Sequence, residues 1–188
     1  MTRKLKIQSL LLSFFAIPFL WSCESNFKDV QKFYFSEFMP TGEADSINLK
    51  YTDSGKITAV LASRRMLDYS TVKFPFTEFP KGIDLTLYDK NARKTFIKSD
   101  YAVSFKGTDM IDLRGNVRIT SEAGQQLTTE QLYFDQKNEW FFTEKNFKFT
   151  DPKSGSTNGE GIDFNKDFTR VNFQKVNGLI NESANTKL

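Results

Sequence analysis

Residues 111–120 read IDLRGNVRIT. Ile111, Leu113, Val117 and Ile119 fall on one parity, Asp112, Arg114, Asn116 and Arg118 on the other. Successive side chains of a strand point to opposite faces, so a period of two predicts a β-strand with one buried side. The stretch TFIKSDYAVSF (95–105) alternates in the same way through Ile97, Tyr101, Val103 and Phe105. Further alternating runs occupy 47–51, 57–69, 83–88, 126–135, 139–150, 162–165 and 169–176. Short polar breaks separate them: DKNAR, KGTD, EAG, QKN, DPKSGS and NKD. Strands of this length at such regular spacing predict an all-β domain. No segment after residue 22 keeps a helical period over three turns.

The strands also repeat. NVRIT at 116–120 returns as NFKFT at 146–150, an interval of thirty residues. Ser99-Asp100-x-Ala102, Thr129-Glu130-x-Leu132 and Gly159-Glu160-x-Ile162 recur at that same interval of thirty. KGIDLTLYD (81–89) is a looser copy with shifted spacing. Each unit holds two strands and cannot bury its apolar face alone, so a fixed period of this size predicts stacked antiparallel pairs. The glycine-rich GSTNGEG (155–161) lacks the Lys-Ser/Thr pair and following helix of a phosphate loop. Ile162-Asp163-Phe164 comes next, which marks a bent entry into a strand.

The N-terminus has a different composition. Residues 1–22 place Arg3, Lys4 and Lys6 ahead of an almost unbroken apolar run from Leu10 to Trp21. That run is too short to cross a hydrocarbon core, which takes ~20 residues, and fits the charged and apolar regions of a secretory signal. Leu20, Trp21 and Ser22 before Cys23 resemble a bacterial lipobox, with Trp21 bulkier than that motif usually carries. Cys23 is the chain's one cysteine, so it has no internal disulfide partner. The reading is a signal peptide over 1–22, a lipidated tether over 23–46, a β domain over 47–180 and a polar tail over 181–188. Cleavage before Cys23 removes three of the 26 Lys+Arg and none of the 23 Asp+Glu, leaving 23 against 23. A neutral chain has no global field to gather phosphate backbones, which argues against nucleic-acid binding.

The chain has no histidine. Ser-His-Asp and Cys-His catalysis both need an imidazole base, and His/Cys zinc sites need those ligands. Paired carboxylates remain available in Asp84, Asp89, Asp100, Asp109, Asp112 and Asp163, but these sit at strand ends or on polar faces, where solvation explains them.

GKITAVLASRRMLDY, FTEFPKGIDLTLYD, IKSDYAVSF, RGNVRIT and LTTEQLYFD, behind the lipobox, together resemble the LptC family from about residue 40 to 180. LptC is the periplasmic component of the lipopolysaccharide-export ABC transporter, and this version is similar to lipoprotein forms from Bacteroidetes. The resemblance implies an OstA-like open β-jellyroll that binds lipopolysaccharide in a groove, with no catalysis and no cofactor or metal. It implies as partners the membrane subunits LptF and LptG, an LptA-like bridge protein, and a membrane held through the lipid anchor. It implies the periplasmic side of the inner membrane, although the anchor by itself leaves the outer membrane open. Within that fold the groove would be lined by Ile111, Leu113, Val117, Ile119, Leu132, Phe134, Phe147, Phe149, Ile162 and Phe164. Residue pattern alone fits a closed core equally well, so a structural or adhesive envelope lipoprotein without a ligand is the alternative. Lys145, Lys148, Arg114 and Arg118 are rim candidates for lipid phosphate, with a solvated face the simpler account of each. Val171, Asn172 and Phe173, in the final strand TRVNFQKV (169–176), would form the free edge that receives the LptA-like partner.

The lipobox reading has a direct consequence. Cys23→Ser is expected to leave an unprocessed precursor that incorporates no radiolabelled palmitate in cells. Normal processing and membrane retention of that variant would remove the anchor.

Overall fold

The computed structural model describes residues 39–177. Cys23, the leader before it and the tail from residue 181 lie outside them. The described residues form eleven strands and no helix. In chain order these are β1 (Gly42–Asp53), β2 (Lys56–Tyr69), β3 (Phe76–Phe79), β4 (Ile83–Tyr88), β5 (Lys94–Ser99) and β6 (Tyr101–Phe105). They continue as β7 (Met110–Ser121), β8 (Gln126–Asp135), β9 (Trp140–Asp151), β10 (Gly155–Asn165) and β11 (Val171–Val176).

All belong to one antiparallel sheet, and the protein is the all-β jellyroll the sequence predicts. Its two layers come from one set of long strands. The first half of β2 pairs β4 through Ala59–Ala62, and its second half pairs β3 through Leu67–Tyr69. The second half of β7 pairs β5, while its first half pairs β6, which in turn pairs β3. Two paths therefore leave β2 and rejoin at β7. One half of the sheet runs through β4 and β5, the other through β3 and β6, and β8, β9 and β10 extend both.

A line of irregularities divides the halves. Gly115 and Asn116 both have positive φ, and together they face the single residue Glu130 of β8. Glu144 and Lys145 of β9 face Gly161 alone, at φ 78°. Such bulges bend a sheet and sharpen its twist. Repeated in neighbouring strands, they turn one apolar face into two that oppose each other. The backbone groups freed there find side chains: Ser63 Oγ donates to Gly82 O at 2.7 Å, and Thr129 Oγ1 donates to Asn146 O at 2.9 Å. The thirty-residue repeat falls on this line, since Ser99-Asp100, Thr129-Glu130 and Gly159-Glu160 all border it.

Three elements differ from the sequence reading. The run 95–105 is two strands, because the line passes through Asp100. Its N–H donates to Gly115 O at 3.0 Å, and its carboxylate accepts from Asn116 Nδ2 at 2.6 Å. The short strand β3 was not expected, and β1 begins at Gly42, within the segment assigned to the tether. β10 begins at Gly155, so the glycine-rich stretch is itself a strand rather than its entry. A Cβ at Gly159 would lie 2.1 Å from Lys175 O and against the Phe147 ring, which explains a glycine at that position by close approach.

Gly82 shows the same constraint most sharply. Its φ is +75°, and a Cβ there would stand 2.1 Å from Ser99 O. Gly55 has φ +78°, but no described residue comes near a Cβ there. Gly55→Ala is expected to lose about 1 kcal/mol, the cost of a left-handed alanine. Gly82→Ala should lose well beyond that in urea denaturation, because backbone must move as well. Equal losses would mean the β2–β4–β5 corner is looser than described.

Candidate functional site

Alternation fixes which residues enter the space between the halves. Leu61, Leu85, Leu87, Ile97 and Ile119 point inward from one half; Phe79, Ala102, Leu113, Leu132 and Phe141 do so from the other. They form one apolar cluster that runs the length of the sheet. Aromatic rings stack along it: Phe134 on Phe141 at 4.2 Å between centroids, Phe141 on Phe164 at 5.2 Å, and Phe164 on Phe168 at 4.7 Å. Such offset pairs add to the burial of the rings themselves.

All the residues expected to line a groove face this interior, and none is more than 6% exposed. Ile111 and Phe134 border an open cavity of about 540 Å³ between the halves. Leu113, Val117, Ile119, Leu132, Phe147, Phe149, Ile162 and Phe164 pack against one another further along. Further apolar wall comes from Leu49, Leu61, Met66, Phe79, Leu85 and Leu87. These belong to β1–β4, outside the clear repeat, and the sequence reading did not select them. The alternation of IDLTLY (83–88) was the signal that could have found Leu85 and Leu87.

Polar groups ring the cavity mouth. Lys106 Nζ lies 2.7 Å from Asp68 Oδ1, and that bond holds the Asp68 carboxyl below its ordinary value. Lys166 Nζ pairs with Glu139 Oε1. A second, more polar hollow of about 750 Å³ shares Thr58, Glu139 and Lys166 with the first and reaches Arg93, Trp140 and Arg170. The interior therefore opens along one side, between two lips formed by hairpin turns. On the first half these are 89–93, 122–125 and 152–154; on the second, 106–109, 136–139 and 166–170.

The basic residues considered for a rim lie elsewhere. Arg118 and Lys148 are exposed on the outer face, as is Lys145 at the bulge line. Arg114 grips Asp112, a carboxylate only 2% exposed on that outer face, through Nε at 2.8 Å, and Gln131 Nε2 adds a bond at 2.9 Å. Next to it, burial first and then the Glu78 carboxylate push the Tyr101 phenol up to about 12. This cluster is satisfied internally and carries no ligand chemistry.

Among the described residues β11 is an edge strand, paired on one side only, with β10. Asn165 N–H donates to Arg170 O at 3.1 Å, so antiparallel alternation makes Asp163–Asn172 the next hydrogen-bonded pair. Asn172 N–H then faces β10, whereas Val171 and Phe173 turn theirs outward. Phe173, 38% exposed, stacks on Phe147 at 5.7 Å and ends the aromatic row at this edge.

The chain matches the family model for lipopolysaccharide assembly, LptC-related, over residues 44–181. It is a member of the LptC-related family. Membership places the protein in lipopolysaccharide transport, as a transport component facing the periplasm. No curated protein matches the chain. Among the described residues no helix is long and apolar enough to cross a membrane.

The edge geometry is testable in the monomer. Asn172→Pro is expected to lose about 1–3 kcal/mol in urea denaturation, because it removes an internal hydrogen bond. Val171→Pro, at the first residue of the strand, where proline is tolerated, should remain clearly more stable. The reverse order would invert the assignment of the outward donors.

Proposed function

We propose that this protein holds the acyl chains of lipopolysaccharide between the two halves of its sheet and passes them onward. The chains come from the LptF and LptG membrane subunits and go to an LptA-like bridge. The observation that carries this reading is the single apolar row. It starts at an open cavity walled by Leu85, Ile111 and Phe134, and it ends at Phe173 on a strand edge that no other described strand pairs. Acyl chains need continuous apolar surface and no directed hydrogen bonds, and the row offers that.

The free edge supplies the hand-over. An unpaired strand presents main-chain donors and acceptors to any strand of matching register, and a partner of the same fold would extend both sheet and row by strand addition. Attachment through acylated Cys23 would keep the domain beside the membrane, since two acyl chains suffice for stable anchoring. The inner membrane fits a role beside the transporter.

A photo-crosslinker at Leu85, which faces the cavity, should capture lipopolysaccharide in cells. One at Thr86, the next residue on the opposite face, should not. Equal capture, or none at Leu85, would overturn the reading and favour an envelope lipoprotein with a closed β core. Val171→Pro should leave Leu85 capture unchanged yet lose the LptA-like partner in a pull-down, which separates docking from lipid binding.

A further inference from the structure

The apolar row is continuous, but only part of it is open. The cavity reaches from Leu85 to Phe134 and, at its mouth, to Lys166, and the apolar interior further along lies beneath the rest of the β10–β11 turn, residues 166–170. Phe168 in that turn is 8% exposed. Its ring stacks on Phe164 of the second half at 4.7 Å and on Phe149 of the first half at 5.9 Å. It therefore closes the gap between the lips at this point. We infer that Phe168 is a latch that decides whether an acyl chain can advance from the cavity to the β11 edge. This inference rests on the lipid-carrier reading above.

Turn chemistry does not require a phenylalanine there. The second lip is built from three turns, and their equivalent residues, thirty apart, are Thr108, Asn138 and Phe168. Two are small and polar, as turns favour; the third is a large aromatic folded inward. It also sits at φ 57°, a region that bulky side chains seldom occupy. Packing between the halves holds it in that conformation.

The turn is fastened unequally. On its own half, Lys166 N–H donates to Glu139 O at 2.9 Å, Phe168 N–H donates to Asn165 O at 3.0 Å, and Lys166 pairs with Glu139. To the opposite half it makes, among the described residues, one long hydrogen bond, from Thr95 Oγ1 to Lys166 O at 3.4 Å, and the ring contact with Phe149. An acyl chain can replace the Phe168 ring against Phe149, apolar surface for apolar surface. The Thr95 bond is readily exchanged for water at the lip. Opening thus swings the turn on its own half and leaves both sheet halves intact.

Spin labels at Lys90→Cys and Asp167→Cys, in a Cys23→Ser full-length chain, report the gap between the lips. Lys90→Cys with Lys153→Cys, both on the first lip, is the control. Purified lipopolysaccharide should lengthen the 90–167 distance and leave 90–153 unchanged. Phe168→Ala should show the long 90–167 distance before any lipid is added and should increase crosslinker capture at Phe149 several-fold. A crosslinker at Tyr51, beside the cavity, measures binding independently. Capture at Tyr51 with an unchanged 90–167 distance and no gain in Phe168→Ala overturns the latch and leaves the carrier reading standing. No capture at Tyr51 in any variant overturns both.

Discussion

The structure depends on the line of bulges that crosses its sheet. A sheet of alternating strands has one apolar face, which normally needs a second layer to cover it. Here the layer is the same sheet turned back on itself, so every long strand contributes to both sides of the interior. The bend lies where Gly115-Asn116, Glu130, Glu144-Lys145 and Gly161 interrupt the ladder. Each interruption frees backbone groups that would be costly if buried without partners. Ser63, Thr129 and Thr143, all buried, supply or receive bonds at that line, including Lys145 N–H to Thr143 Oγ1 at 3.0 Å.

The bend explains why the repeat is thirty residues long and what it encodes. Two strands and two turns return the chain to the same place on the line, so a small residue followed by an acid recurs there at a two-strand interval. The motifs that recur most clearly in the sequence are therefore the bending residues, not the apolar ones. Apolar identity varies freely, with Leu113 beside Leu132 and Ile119 beside Leu127, because the interior demands volume rather than a specific side chain.

What could be read in advance follows the same division. Strand existence was legible wherever alternation was sustained, and the ten residues named for a groove face inward. Tyr101, Val103 and Phe105 instead share the outer face with Asp112, because the inward parity switches at Asp100 to Ala102. The break at Asp100 was invisible, because Ile97, Tyr101, Val103 and Phe105 keep one parity straight through it. The four residues of β3 lie between Pro75 and Pro80, too short to show a period. The walls from β1, β2 and β4 were missed because that part of the chain has lost the clear repeat. Phe168 was hidden in a polar break, where a single apolar residue carries no periodic signal. The same holds for which part of the row is open, since that depends on how a turn lies across space.

A lipid carrier of the kind proposed works under an energetic constraint. Burial stabilises an acyl chain by about 0.8 kcal/mol per methylene, so ten buried methylenes would be held by ~8 kcal/mol. A closed site of that depth would release lipid into water too slowly to be useful. A trough resolves this by geometry. Moving a chain by one strand covers as many methylenes ahead as it uncovers behind, so binding strength and mobility along the row are decoupled. That holds across a protein boundary only if the row continues without a gap. The placement of Phe173 at the outermost strand, with outward donors on either side of Asn172, meets that condition. In such a device the steps that cost free energy are those where the row is interrupted. On this reading the β10–β11 turn, and not the apolar wall, sets how readily lipid moves.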